Sequence, residues 1–263
     1  MVSVQPQAED IVLSVDRITL GFGGVKALDG CTWSLRNGVI AAVIGPNGAG
    51  KSTLVNVISG ALQPQRGSVR FGGKEITGWS PHRIAQLGLI RTFQIARGFE
   101  KLTVLENMLV APRVQPGESI WNAVMRPGLG KAAERRDLAR ALELLNMFEL
   151  YPLRNEYARE ISGGQKRLLE LARAVMTEPK VLMLDEPMAA INPALIERIG
   201  RHLRDMQKWG ITLVLIEHNL KVVQQICDWV TVMVNGSALA SGSLGDLRKD
   251  PAVISAYLGA STL

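Results

Sequence analysis

The chain has 263 residues, a formal net charge of +6 and 47% hydrophobic residues, a composition that supports a substantial core in one domain or two subdomains. Its two cysteines imply no disulfide scaffold, and neither has ligand-type neighbours at metal spacing, so two buried thiols are the expectation. Basic residues interleave with acids along the whole length, so the positive balance argues against nucleic acid and leaves at most a weak attraction to anionic lipid head groups or acidic protein loops.

In chain order, residues 1 to 10 lack an apolar leader, and no later apolar run approaches the roughly 18 residues of a spanning helix. Ile11 to Leu20 and Cys31 to Leu35 read as strands. Val39 to Ile44 reads as a buried strand that runs into Gly45-Pro46-Asn47-Gly48-Ala49-Gly50-Lys51-Ser52, a glycine, four residues, then glycine, lysine and serine. Without side chains at Gly48 and Gly50 the backbone N–H groups can wrap a phosphate, and a helix from about Lys51 to Ser59 points its positive end at the same anion. In such a loop Lys51 reaches the β- and γ-phosphates and the Ser52 hydroxyl ligates Mg²⁺. A strand at Val69 to Phe71 follows the Pro64 to Gly67 turn, and a helix near Pro81 to Leu87 leads into a further strand before Gln94.

From Gln94 to Glu178 strand character disappears. Val114 to Gly130 carries proline-glycine turn signals, and Lys131 to Phe148 sets Leu138, Ala141, Leu142, Leu145 and Phe148 on one helical stripe. Ser162-Gly163-Gly164-Gln165 opens the next helix: Ser162 suits an N-cap, and its hydroxyl with the N–H groups of Gly163 and Gly164 makes an anion-binding turn. A capped helix without ligand would explain Ser162 well but the paired glycines poorly. Val181 to Leu184 reads as a strand buried on both faces, with Asp185 and Glu186 emerging at the C-terminal end where open parallel sheets bind ligands. There Asp185 suits the Mg²⁺ shell and Glu186 a base for an attacking water, the alternative for Glu186 being a solvated acid. His218 falls just past the strand Ile211 to Ile216, either beside the phosphates or as a structural histidine. His82 and His202 read as exposed helical residues, and Cys31 and Cys227 as buried thiols. A strand at Val230 to Val234 and two short helices broken at Pro251 complete the chain.

The sequence resembles the ATP-binding-cassette ATPases from about Leu13 to Gly259. Gly45 to Ser52 looks like a Walker A loop, Ile161 to Gln165 like the signature motif with isoleucine for the usual leucine, and Leu184 to Pro187 like a Walker B strand. Gln94 in Arg91-Thr92-Phe93-Gln94 looks like the Q-loop glutamine, Ala189-Ala190-Ile191-Asn192 like the D-loop, and His218 like the switch histidine. The resemblance implies an α/β P-loop ATPase spanning 11–259. A nucleotide-binding core of 11–93 and 180–259 would have a mixed or parallel sheet and an N-terminal antiparallel β subdomain, and 94–179 would form an inserted helical subdomain. It implies ATP and Mg²⁺ as ligands. Gly45, Pro46, Asn47, Gly48, Ala49, Gly50, Lys51, Ser52 and Thr53 would hold the nucleotide, while Ser162, Gly163, Gly164 and Gln165 meet the nucleotide of a second subunit. Ser52, Gln94 and Asp185 would hold the metal, and Glu186, His218 and Gln94 would serve the chemistry. Phe22 is either an adenine-stacking ring or a core or loop aromatic.

The partners so implied are a second ATPase subunit, identical or related, transmembrane permeases docking near Ile95 to Asn107, and through them a solute-binding protein, at the cytoplasmic face of the membrane. If that stretch instead packs only as loop and helix, Arg91, Arg97 and Lys101 are surface charges. Phe22 to Leu28, Ile90 to Gln94, Asn192-Pro193 and the end Asp250-Pro251 to Gly259 resemble most the ATPases of branched-chain amino-acid uptake, of the longer subunit type. Urea or short-amide importers, a lipopolysaccharide exporter and a soluble non-transport cassette are the alternatives.

Overall fold

The computed structural model describes residues 10–92, 99–111, 127–189 and 191–259, with side chains left aside for 127–131 and 256–259. It divides into two compact units: residues up to Arg91 together with those from Lys180 onward, and residues between Thr92 and Pro179.

The first unit holds two sheets. Strands β1 (Ile11–Phe22) and β2 (Val25–Arg36) form a long hairpin closed by Gly23-Gly24, both at positive φ, the two-residue turn whose twist matches that of the strands. With β4 (Arg66–Phe71) and β5 (Lys74–Glu75) they make an antiparallel sheet of order β2-β1-β4-β5. The second sheet has the order β10-β9-β3-β8-β7-β6, built from β3 (Ile40–Ile44), β6 (Leu89–Arg91), β7 (Val181–Asp185), β8 (Thr212–Ile216), β9 (Trp229–Val234) and β10 (Ser237–Gly242). All its pairings are parallel except β9 with β10, so this sheet is mixed.

Every residue of β3, β7 and β8 is buried, as central parallel strands covered on both faces require. Alternation along β3 shows the two faces: Ala41 and Val43 join the core that includes the antiparallel sheet and Leu54, Val57 and Ile58 of helix α1 (Lys51–Ile58). Ala42 and Ile44 instead join the cluster of Val223, Val230, Val232, Leu247 and Val253. A buried bond from Trp33 Nε1 to Thr231 Oγ1 (3.0 Å) ties β2 to β9. Helix α2 (Pro81–Gln86) precedes β6.

The second unit carries α3 (Val104–Leu109), α4 (Pro127–Met147) and α5 (Gly163–Met176). Fully buried Asn107 organises its first loop, donating to the carbonyls of Phe99, Leu102 and Thr103 and accepting from Phe99 N–H. Back in the first unit, α6 (Pro193–Lys208) and α7 (Leu220–Ile226) precede β8 and β9, and α8 (Leu244–Leu247) and α9 (Pro251–Gly259) end the chain with the expected break at Pro251. Among the described residues no helix is long and apolar enough to cross a membrane.

Several expectations change. Strand β10 reads Ser-Ala-Leu-Ala-Ser-Gly, too weakly apolar to announce itself, and forms because β9 offers it a partner. Helix α4 starts at Pro127, and its buried stripe is Ala141, Leu144 and Leu145, with buried Phe148 just past its last residue. Leu138 lies at the margin of that stripe and is 39% exposed. Cys227 caps α7 and is half-buried, and His202 is half-buried on α6.

Candidate functional site

Strands β3, β8 and β7 are neighbours and parallel, so the segments leaving their C-terminal ends emerge along one edge of the sheet. From β3 comes the glycine loop. A Cβ on Gly45 (φ +151°) would lie 2.2 Å from the Met233 carbonyl oxygen of β9, and one on Gly50 (φ +95°) 2.5 Å from that of Ala27, so glycine is required at both ends of the loop. Ala49 accepts from the Gly236 N–H (3.0 Å), which fastens the loop to the β9–β10 turn. Asn47, Gly48 and Ser52 are exposed, Pro46 and Thr53 half-buried and Ala49 buried. The Lys51 ammonium folds back across the loop, donating to the carbonyls of Gly45 (2.8 Å) and Pro46 (2.9 Å). Burial holds its pKa below that of a free lysine, against the opposing pull of the Glu186 and Asp185 carboxylates.

Asp185 ends β7 and is 9% exposed. Its Oδ2 accepts from Arg91 Nη2 at 3.1 Å, and Arg91 Nη1 also donates to Asn56 Oδ1 of α1. One guanidinium thus joins β6, β7 and α1. The surface-charge reading of Arg91 is therefore corrected: the side chain is 12% exposed and neutralises the candidate metal ligand. Sequence reasoning missed this residue and Asn56; the available signal was a cation ending a short apolar strand in a sheet whose next strand ends in a carboxylate. Lys101 is exposed, while Arg97 lies outside the described residues.

Glu186 follows with φ +46°, a left-handed backbone that side chains rarely adopt. Its N–H donates to the Ile216 carbonyl of β8 (3.0 Å), and its side chain is one-third exposed, with Oε1 3.7 Å from His218 Nδ1. Beyond β8, Glu217 is buried and accepts from the Met188 N–H (3.2 Å), while His218 is exposed. Burial pushes the Glu217 acid above the usual carboxylate range, partly opposed by the Met188 N–H and the neighbouring His218. Asn192 caps α6 by accepting from Leu195 N–H (2.9 Å).

Lys51, Asp185, Glu186 and His218 thus gather at one sheet edge. An exposed hydroxyl at Ser52 and the Asp185 carboxylate are hard oxygen donors of the kind Mg²⁺ takes, one or two from protein with the rest from phosphate and water, so the residues present fit that ion. Phe22 stands 51% exposed at the tip of β1, so it is no core residue. Gln94 and Ala190 lie outside the described residues.

In the second unit Ser162 caps α5 in a reciprocal box: its hydroxyl oxygen accepts from Gln165 N–H (3.3 Å) and its own N–H donates to Gln165 Oε1 (2.8 Å). Nothing lies within 4 Å of a Cβ placed on exposed Gly163, which leaves the first turn of the helix open to an anion. Ile161 is buried, so isoleucine keeps the apolar anchor beneath the turn.

Residues 28–189 match the family model described as ABC transporter. Over 249 residues the chain is 39% identical to the probable branched-chain amino acid transport ATP-binding protein LivG of Archaeoglobus fulgidus, covering 95% of this chain and 96% of that protein. It is 36% identical to the high-affinity branched-chain amino acid transport ATP-binding protein BraF of Pseudomonas aeruginosa, covering 94% and 98%. The fold is similar to the ADP conformation of MJ1267, an ATP-binding cassette of an ABC transporter, with a TM-score of 0.79 and 35% identity over 95% of this chain and 99% of that one.

Proposed function

The chain belongs to the ABC transporter family of ATP-hydrolysing subunits, and from that premise we propose that it powers uptake of branched-chain or other hydrophobic amino acids. The observation that carries the reading is the gathering of the glycine loop, Asp185, Glu186 and His218 at the ends of β3, β7 and β8, in a chain similar along nearly all its length to branched-chain transport ATPases.

Residues Gly45 to Thr53 hold the triphosphate through backbone N–H groups, and Lys51 exchanges its two loop carbonyls for phosphate oxygens. Ser52, Asp185 and Gln94 hold Mg²⁺, which when bound neutralises phosphate charge. Glu186 takes the proton of the attacking water, and His218, beside it, contacts the γ-phosphate. Phe22, exposed at its hairpin tip, stacks on adenine. The turn Ser162 to Gln165 serves the nucleotide of a second subunit, identical or related, because a phosphate held by one loop keeps uncompensated charge on its far side. The inserted segment 94–179 is the part that permeases grip, so the chain works at the cytoplasmic face of the membrane with a solute-binding protein upstream; the compactness of that stretch as a unit of its own supports the reading.

Reconstitution with its native permeases and binding protein tests this. Leucine, isoleucine or valine should raise ATP turnover; stimulation by urea, short amides or lipopolysaccharide and by none of these amino acids overturns the substrate class.

A further inference from the structure

The left-handed backbone at Glu186 is unfavourable for a side-chain-bearing residue and persists only where its surroundings over-determine it. Three hydrogen bonds do so. Two are main-chain bonds: Glu186 N–H to Ile216 carbonyl (3.0 Å) and Ala189 N–H to Glu186 carbonyl (3.1 Å). The third comes from a side chain, Glu217 Oε1 accepting from Met188 N–H at 3.2 Å. Glu217 leaves the end of β8 with its own N–H directed at the Val43 carbonyl (3.4 Å), so the carboxylate is held from the sheet itself. It is 2% exposed, a setting in which an apolar side chain of similar size would be the easier choice. The proposed chemistry gives it no contact with nucleotide.

We propose that Glu217 is a positioning residue for ATP hydrolysis: by anchoring Met188 N–H it locks the Glu186–Ala189 turn, and so fixes the Glu186 carboxylate 3.7 Å from His218. The claim rests on the reading of Glu186 as the base. Because Glu217 acts through orientation, its loss reduces turnover and leaves nucleotide binding alone; a small displacement of a reacting group costs up to about a hundredfold. What Glu217 supplies is an acceptor atom, which a glutamine amide oxygen also provides.

The test is steady-state ATPase kinetics of the full chain, with nucleotide affinity measured alongside. Glu217→Gln should keep kcat within about twofold, while Glu217→Met should lower kcat by roughly ten- to a hundredfold with KM and nucleotide affinity unchanged. In a Glu186→Gln background Glu217→Met should cost nothing further, since both changes remove the same function. Parental kcat in Glu217→Met, or equal losses in the glutamine and methionine variants, overturns the proposal. If Glu217→Met fails to bind nucleotide, Glu217→Asp decides: it keeps the charge but withdraws the acceptor by one methylene, and parental kcat there is equally fatal. Glu186→Gln separates the two ideas, because full turnover in that variant refutes the base assignment and not the anchoring of the turn.

Discussion

Arg91→Met would take the cation bonded to Asp185 out of a site that is almost dry. The two side chains are 12% and 9% exposed and their charges 3.1 Å apart, which at an effective dielectric constant of 20 corresponds to about 5 kcal/mol of attraction. Removing one partner of a buried pair leaves the other charge uncompensated and destabilises by roughly 3–5 kcal/mol. Urea unfolding followed by tryptophan fluorescence reads this directly, as the chain has 5 tryptophans. With a slope of about 3 kcal/mol per molar urea the midpoint should fall by roughly 1–1.7 M. Asp185→Leu added to Arg91→Met removes the stranded carboxylate and should recover a large part of that loss. A midpoint in Arg91→Met within about 0.3 M of the parent, or a double variant no more stable than the single one, refutes the argument that this guanidinium holds the end of β7.

Gly45→Ala places a methyl 2.2 Å from the Met233 carbonyl oxygen, so nucleotide binding, measured with a fluorescent ATP analogue, should fall at least tenfold even where the protein remains folded. Ser162→Arg should leave binding to the single chain intact but abolish hydrolysis; an unchanged ATPase rate would show that no second subunit's nucleotide meets this turn. Asp228 supplies the pH dependence. Burial alone would raise its pKa, but Arg204 at 2.6 Å, the Ile40 N–H and Gln207 Nε2 outweigh that and hold it below the ordinary value. The folded-state pKa being depressed, its contribution is present above the unfolded value near 4 and lost as pH falls through the folded one. The pair is about one-third exposed and screened, worth about 1 kcal/mol at most, so Asp228→Asn should lower Tm by up to about 2–4 °C at pH 7 and by progressively less as pH falls below about 4.

The glycine loop, the strands ending at Asp185 and Ile216, and the capped turn at Ser162 were legible because each is specified by adjacent residues: glycine spacing, a short apolar run, a serine three positions before a glutamine. What escaped was specified across the chain. Arg91 meets its carboxylate 94 residues away, and Gly45 owes its identity to a carbonyl on β9. The backbone of Glu186 and the burial of Glu217 follow from two strand ends lying side by side, which no local pattern encodes. Strand β10 is illegible for the converse reason, since its sequence carries little preference and its partner supplies the structure.

Strands β6 and β7 are hydrogen-bonded neighbours, with Leu89 opposite Val181 and Arg91 opposite Met183, yet the chain travels from Thr92 to Pro179 between them. A parallel pair needs a connection of only about a dozen residues. Most of the excursion is therefore surplus to the architecture of the sheet, and a protein with Arg91 joined to Lys180 by a brief helical crossover has every strand it requires. The intervening helices add no strand to that pairing, so their length and composition answer to demands other than those of the β6–β7 ladder.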